Sequence, residues 1–191
     1  MAILTTSEVL AFTDITATAG TIVSRKYIEE VQERIVLKTN NYFVTDLYLQ
    51  DYMDFYASNN SIIAVNSFED ENFTAGDDIY IYHSYRNDGY FTISTVSDTT
   101  LVLTSAASVV EELSGRSILV SVVKWPLEIK KIAANMVCFD HDFRSGRATG
   151  LKSRTLGPLI ESYFGETEVD SDGYPVSITR GLSKYTIARF M

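Results

Sequence analysis

The sequence predicts an α+β protein: a scaffold of several antiparallel helices, an inserted small five-stranded β barrel or sheet, and an extended C-terminal tail. Apolar residues recur at helical spacing around residues 24–38 and 127–144. Between these segments, residues 61–123 alternate with a period close to two, which is typical of strands. An Asn-Asp-Gly sequence at 87–89 joins two alternating stretches and predicts a tight hairpin turn.

Two helices are predicted in the N-terminal segment. Thr6 or Ser7 can cap a short helix, because a side-chain oxygen there accepts a backbone N–H of the first turn. Ser24 can cap a second helix of about four turns, in which the apolar residues share one face. These apolar residues are Ile28, Val31 and Ile35.

Residues 42–56 carry two conflicting patterns. They begin with the strand-like alternation of Tyr42 and Val44, and they continue with aromatic residues at helical spacing. We therefore expect a strand followed by a short turn or helix. The aromatic residues are Tyr48, Tyr52, Phe55 and Tyr56.

Five short strands are predicted in an inserted domain at 61–123, while residues 1–60 and 124–191 form the helical domain. We expect the strands to close into a barrel or a rolled sheet, because closure hides strand edges. The insert is also acidic, since its nine acids and two bases leave a formal balance of −7. The predicted strands are Ile62–Val65, Asp78–His83, Tyr90–Val96, Thr100–Thr104 and Ser117–Val123.

The best-marked helix follows the insert. Pro126 suits its first turn, where the missing N–H costs nothing, and the helix is predicted over Leu127–Phe143. Cys138 falls on the apolar side of this helix and is interpreted as a buried small residue. A partly extended segment at 150–164 comes next, and residues 176–191 have helical potential.

Composition argues against several classes of function. The net charge of −9 does not suit a protein that coats nucleic acid, because such proteins need a basic surface. No apolar run reaches the length of about 18 residues that a membrane span requires. The N-terminus has neither the basic region nor the long apolar stretch of a secretory signal, so we expect synthesis in a reducing cytoplasm.

Three stretches are similar to chemical motifs but depart from them. In residues 146–153, Leu151 separates the glycine from the Lys-Ser pair that a phosphate loop keeps together. Residues 140–142, Asp-His-Asp, point in diverging directions on a helix and do not form a metal site. Residues 170–173 begin like a calcium loop, but Gly181 stands where that loop needs its glutamate. We expect no catalytic residues, no cofactor and no metal.

The second half of the chain has a distinct order of motifs. The helix PLEIKKIAANMVCFDHDF is followed by GLKSRTLG, by GYP and by the terminal ITRGLSKYTIARF. This order resembles that of the head–tail connector (adaptor, or head-completion) proteins of tailed bacteriophages. In that family a helix precedes a Lys-Ser-x-x-x-Gly strand, a Tyr-Pro and a closing Leu-x-x-Tyr-x-x-x-Arg. The matching residues are Lys152, Ser153, Gly157, Tyr174, Pro175, Leu182, Tyr185 and Arg189.

The resemblance covers most of residues 24–191. Some connectors insert a small β domain with strings similar to those at 73–81 and 87–93. One departure is Pro158, which directly follows the glycine of the Lys-Ser motif, so that strand is expected to end early or to lie at an edge.

The resemblance implies a structural protein of the virion neck, without enzymatic activity, that assembles in the host cytoplasm. It implies a homo-oligomeric ring, typically of about twelve copies, that joins the portal of the head to the tail. DNA would pass through the channel without sequence-specific binding, and no membrane is involved.

The terminal tail is expected to dock on the portal, because its basic residues alternate with apolar anchors. An amphipathic terminal helix that packs on its own core is the alternative. The expected portal-binding residues are Arg180, Leu182, Lys184, Tyr185, Arg189 and Phe190.

The acidic insert has two possible roles in such a ring. It would contact a basic ring of the next neck or tail protein, or it would line the channel, where negative charge keeps DNA from sticking. Two other functions stay open at this point: another neck or tail-completion protein of the virion, and a small ligand-binding domain or enzyme.

Overall fold

A computed structural model shows how the chain folds. It divides the chain into two compact units, a barrel unit at Tyr42–Lys124 and a helical unit formed by Ala2–Asn41 and Trp125–Met191. The barrel therefore begins well before the predicted insert at 61–123. The residues that the structure describes are 3–13, 25–104, 108–113, 116–144, 153–156, 159–162 and 169–188.

The predicted fold class is wrong. The main element is one six-stranded antiparallel sheet closed into a barrel, and the described residues hold four α-helices in place of a connector scaffold of several long antiparallel helices. The predicted extended tail also contains two short helical elements. The helices are α1 (Thr6–Phe12), α2 (Arg25–Thr39), α3 (Leu127–Arg144) and α4 (Val176–Thr179), and α4 leads into a 3₁₀-helix, Arg180–Tyr185.

The barrel has six strands where the sequence predicted five. Their spatial order is β1-β2-β5-β4-β3-β6, and the long strand β1 closes the sheet by pairing with both β2 and β6. The strands are β1 (Val44–Tyr56), β2 (Ser61–Ala64), β3 (Asp78–Tyr82), β4 (Gly89–Val96), β5 (Thr100–Leu103) and β6 (Ser117–Val123). The five predicted strands are confirmed within one or two residues.

Strand β1 corrects the expectation of a turn or helix after Tyr42 and Val44. It continues without interruption for 13 residues, to Tyr56. The misleading signal was a spacing of four, which brings residues to one face of a helix but also to one face of a strand. Tyr48 and Tyr52 therefore lie together on the outside of the barrel, where both are exposed.

The interior of the barrel is filled by apolar side chains from alternate strand positions. Met53, Phe55 and Ile62 are completely buried there, together with residues of the other strands. Full burial of one such side chain stabilises the fold by about 1.5–3 kcal/mol. Further members of this core are Phe68, Ile79, Ile81, Ile93, Leu101, Ile118 and Val120.

The predicted hairpin between β3 and β4 is confirmed, but its turn is not tight. The strands pair up to Ile81 and Gly89, so a loop of six residues, 83–88, connects them. Asn87 lies buried in this loop, where its side chain accepts a hydrogen bond from the N–H of Val110 and donates one to the Val110 carbonyl. A contact distant in sequence therefore shapes this turn.

In the helical unit, α1 and α2 pack against α3. The predicted apolar faces of α2 and α3 are buried, including Val31 and Ile129. Thr5 caps α1 in place of the predicted Thr6 or Ser7: it accepts a hydrogen bond from the Glu8 N–H, and the Glu8 carboxylate accepts one from the Thr5 N–H. Cys138 is half-buried, not buried as predicted.

After α3, two short strands form a separate two-stranded sheet. Strand β7 (Ser153–Leu156) pairs antiparallel with β8 (Leu159–Ser162). The last described residue of β7 is Leu156, and Gly157 and Pro158 lie outside the described residues. Lys152 and Ser24 lie outside the described residues.

Candidate protein-interaction surface

The outer face of the barrel carries a row of tyrosines across four neighbouring strands. Tyr48 of β1 lies opposite Ser121 of β6, Ser121 lies opposite Tyr80 of β3, and Tyr80 lies opposite Tyr90 of β4. Because side chains alternate along a strand, placing Ile79 and Ile81 in the core turns Tyr80 outward. Ser121 is the one small member of this row.

Four tyrosines of the barrel unit form a packed group, which we call the tyrosine cluster: Tyr42, Tyr80, Tyr82 and Tyr90. The ring of Tyr80 lies 4.3 Å from that of Tyr82 and 4.7 Å from that of Tyr90, measured between centroids. The ring of Tyr42 lies 4.6 Å from that of Tyr80, and the Tyr90 hydroxyl donates a hydrogen bond of 3.2 Å to the Tyr42 carbonyl. Each aromatic pair contributes about 0.5–1.5 kcal/mol beyond its buried area.

Packing in the tyrosine cluster changes the acidity of its hydroxyls. Burial, with the nearby Tyr42, raises the pKa of Tyr82 from its ordinary value of 10.0 to about 12. The pKa values of Tyr80 and Tyr90 are also raised, first by burial and then by neighbouring tyrosines. The hydroxyls of Tyr80, Tyr82 and Tyr90 therefore stay protonated to a higher pH than that of an isolated tyrosine.

These raised pKa values predict the alkaline behaviour of the protein. In a pH titration followed by phenolate absorbance at 295 nm, we expect Tyr80, Tyr82 and Tyr90 of the folded protein to ionise in a late component, above the ordinary tyrosine pKa of 10.0. In urea all twelve tyrosines should ionise together near pH 10. Tyr82→Phe should reduce the amplitude of the late component, and equal amplitudes for the variant and the parent would contradict the assignment.

The same shifts fix the sign of the pH dependence of stability. A pKa that is higher in the folded than in the unfolded state means that the folded state retains its protons above pH 10. The contribution of these tyrosines to the free energy of unfolding is therefore fully present below that pH. It is lost as the pH rises through the folded values, of which that of Tyr82 is about 12.

Two grooves flank the exposed Tyr48. The first, which we call the tyrosine groove, has a volume of about 410 Å³, with Tyr48 and Tyr82 among its walls and Leu119 and Ser121 between them. The second, the acidic groove, has about 640 Å³. Its lining includes Asp46, Tyr48, Asn66, Ser67, Asp70 and Glu71.

The two units differ in charge. Residues 42–124 hold twelve acids and three bases, a formal charge of −9, whereas the rest of the chain holds thirteen of each and balances to zero. Part of the acidity serves the fold, because five carboxylates accept hydrogen bonds from loop N–H groups. These are Asp51, Asp77, Asp88, Glu111 and Glu112.

The predicted portal-binding residues come together only in part. Leu182 is buried in the helical unit, and Lys184 forms an ion pair of 2.8 Å with Glu128 of α3. The Tyr185 hydroxyl donates a hydrogen bond to the same carboxylate, and Arg180 is exposed. Arg189 and Phe190 lie outside the described residues. The portal contact of this set stays a prediction, with Arg180 as its most accessible described member.

The motif-like stretches have structural partners. Asp170 and Asp172 both form ion pairs with Lys38, at 2.6 and 3.0 Å, so this turn holds the terminal segment to α2 within the helical unit. The buried Asp140 accepts a hydrogen bond from the Tyr174 hydroxyl. Among the described residues, no group of three or more His, Cys, Asp and Glu side chains could hold a metal ion.

Comparison with known proteins does not identify a family. No protein-family model matches the chain, and no curated protein matches its sequence. None of the described helices combines the length and the apolar character needed to cross a membrane.

One feature of the sequence indicates the tyrosine surface but did not enter the predictions: the spacing of its tyrosines. Tyr80 and Tyr82 alternate with buried isoleucines, and Tyr48 and Tyr52 are four residues apart. Which strands stand side by side could not be deduced from this spacing. The register of β1, β6, β3 and β4 assembles the surface.

Proposed function

We propose that the chain is a structural protein of a bacteriophage neck, a ring-forming adaptor that joins the portal of the head to the tail around the DNA exit channel. The observation that carries the proposal is the order of motifs from Ser153 through Tyr174 and Leu182 to Tyr185. The corrected fold changes the expected architecture: the adaptor would be a barrel unit joined to a helical unit.

The distribution of charge supports this role. A neutral helical unit and a barrel unit with a charge of −9 can contact partners of different character. An acidic surface near a DNA channel also lowers the affinity for passing phosphates.

The proposal predicts assembly on the portal. When the purified chain is titrated onto the portal ring of the same virion, we expect sedimentation velocity and mass photometry to show a complex with about twelve added copies. Arg180→Glu should weaken this complex at least tenfold. Arg116→Glu, the same charge reversal at an exposed arginine of the barrel unit, is the matched control and should leave it unchanged.

Other outcomes separate the alternatives. A chain that ignores the bare portal but joins a portal that already carries its adaptor would be a tail-completion protein one level lower in the neck. A chain that sediments apart from both at saturating concentration would overturn the proposal.

A further inference from the structure

We infer that the outer face of β1 beside the tyrosine cluster is a docking surface for an arginine-bearing segment of a partner protein. This docking surface consists of Tyr48 and the two grooves that flank it. The inference rests on the barrel unit alone and does not depend on the proposed function.

The docking surface leaves large aromatic area uncovered. Tyr48 is 52% exposed and Tyr52, four residues along the same strand face, is 60% exposed. Tyrosine is enriched where partners bind, because it brings a rigid aromatic ring together with a hydroxyl. Tyr82, which forms one wall of the tyrosine groove, packs against the ring of Tyr80, and Tyr80 packs against that of Tyr42. This wall is therefore preorganised.

The tyrosine groove has the width of a side chain. Its two walls stand on β1 and β3, with β6 between them, so they are two strand spacings or about 9.5 Å apart. Leu119 and Ser121 of β6 form the floor, and the Ser121 hydroxyl is turned away because it donates to the carbonyls of Thr45 and Leu47. An aliphatic side-chain stem can therefore lie on Leu119 between Tyr48 and Tyr82.

Charge identifies the occupant. Asp46 lines both grooves, and Asp70 and Glu71 line the acidic groove. These three carboxylates are exposed and, unlike Asp51 or Glu112, take no part in the hydrogen bonds that the described residues form. No basic side chain lines either groove within the described residues. The face is thus complementary to a cation carried by a partner.

Arginine fits this chemistry better than lysine. Its planar guanidinium stacks on aromatic rings and forms two parallel hydrogen bonds to a carboxylate, while its stem covers apolar surface. The barrel already contains one such pair, because the Arg116 guanidinium lies over the exposed Tyr85 ring at 4.3 Å from its centroid. A partner arginine on Tyr48 beside Asp46 would make the same contact between molecules.

The test uses the full chain and short fluorescent peptides in which Ser alternates with Arg, Lys or Glu. Fluorescence anisotropy at low salt should show binding of the arginine peptide at least tenfold tighter than that of the lysine peptide, and none of the glutamate peptide. Affinity should fall as salt is raised. Equal affinity for the arginine and lysine peptides would overturn the inference, because it would indicate general charge attraction only.

Matched variants place the binding site. Tyr48→Ala should weaken binding of the arginine peptide at least fivefold and Tyr48→Phe less than twofold, because the ring is retained. Tyr85→Ala, at a tyrosine that its own arginine already covers, should have no effect. Asp46→Asn should weaken binding about threefold, whereas Asp98→Asn, the same charge change in another loop, should not.

Occupation by other ligands would overturn the inference. One such outcome is self-association of the chain in the absence of peptide, if Tyr48→Ala abolishes it. The other is binding of a DNA oligonucleotide at the same residues. Unchanged affinity in both Tyr48→Ala and Asp46→Asn would likewise exclude this face. Both side chains are exposed, so loss of folding does not confuse the result, and circular dichroism checks that the variants keep their structure.

Discussion

Replacement of Glu112 by alanine is expected to destabilise the barrel by about 4 kcal/mol, because a buried carboxylate that accepts three hydrogen bonds, one of them from the buried Asn87 amide, is lost. Glu112 is 8% exposed. One of its carboxylate oxygens accepts the Tyr85 N–H at 2.8 Å, and the other accepts the Arg86 N–H at 3.3 Å and the Asn87 side-chain amide at 3.0 Å. This carboxylate therefore holds the β3–β4 loop against the segment before β6.

The effect can be measured by urea unfolding followed by the near-ultraviolet circular dichroism of the tyrosines, since eight of the twelve lie in the barrel unit. Glu112→Gln should recover less than half of the lost stability, because both oxygens act as acceptors and an amide has only one oxygen. Glu111→Ala is the matched control: its exposed carboxylate holds one N–H, that of Ala57, and its loss should cost about 1 kcal/mol or less. Equal losses for Glu111→Ala and Glu112→Ala would refute the argument.

Asp51→Ala is expected to cost about 3 kcal/mol for a related reason. Asp51 is 8% exposed on β1, and one oxygen accepts the N–H groups of Val65 and Asn66 at 2.7 and 2.6 Å. Its other oxygen accepts the N–H of Tyr52. These bonds fix the chain as it leaves β2, where no strand partner is present for either N–H in the described residues.

Hydrogen exchange gives the local readout for Asp51→Ala. The amides of Val65 and Asn66 should lose protection more than amides in the centre of β3. Asp51→Asn should retain part of this protection, because its one amide oxygen can still accept both N–H groups. Asp70→Ala removes an exposed carboxylate from the following loop and should leave both stability and protection unchanged. Protected Val65 and Asn66 amides in Asp51→Ala would show that other contacts hold this loop.

These two carboxylates change the interpretation of the acidic region. The sequence suggested that its charge meets a neighbour or lines a channel, as though all the acids had one purpose. In the structure Asp51 and Glu112 hold loops, whereas Asp46, Asp70 and Glu71 stay in water beside Tyr48. The charge available for a partner is thus smaller than the composition implied.

Strand periodicity and turn residues predicted much of the barrel. Alternation of apolar residues located β3, β4 and β6 closely, because a sheet with one buried face requires a period of two. Helical spacing likewise located α2 and α3. Each of these signals is local, because one face of each helix or strand is buried. The positions of these elements could therefore be predicted from the sequence alone.

The sequence by itself thus determined the alternating strands, the two main helices and the excess of acids between residues 42 and 124. Only the tertiary structure decided that β1 is one long strand that closes a barrel, since a spacing of four fits both a helix and a strand. It also decided which acids are buried and which tyrosines share a face. Both depend on the register between strands far apart in sequence, and register is set by how side chains pack across the closed sheet.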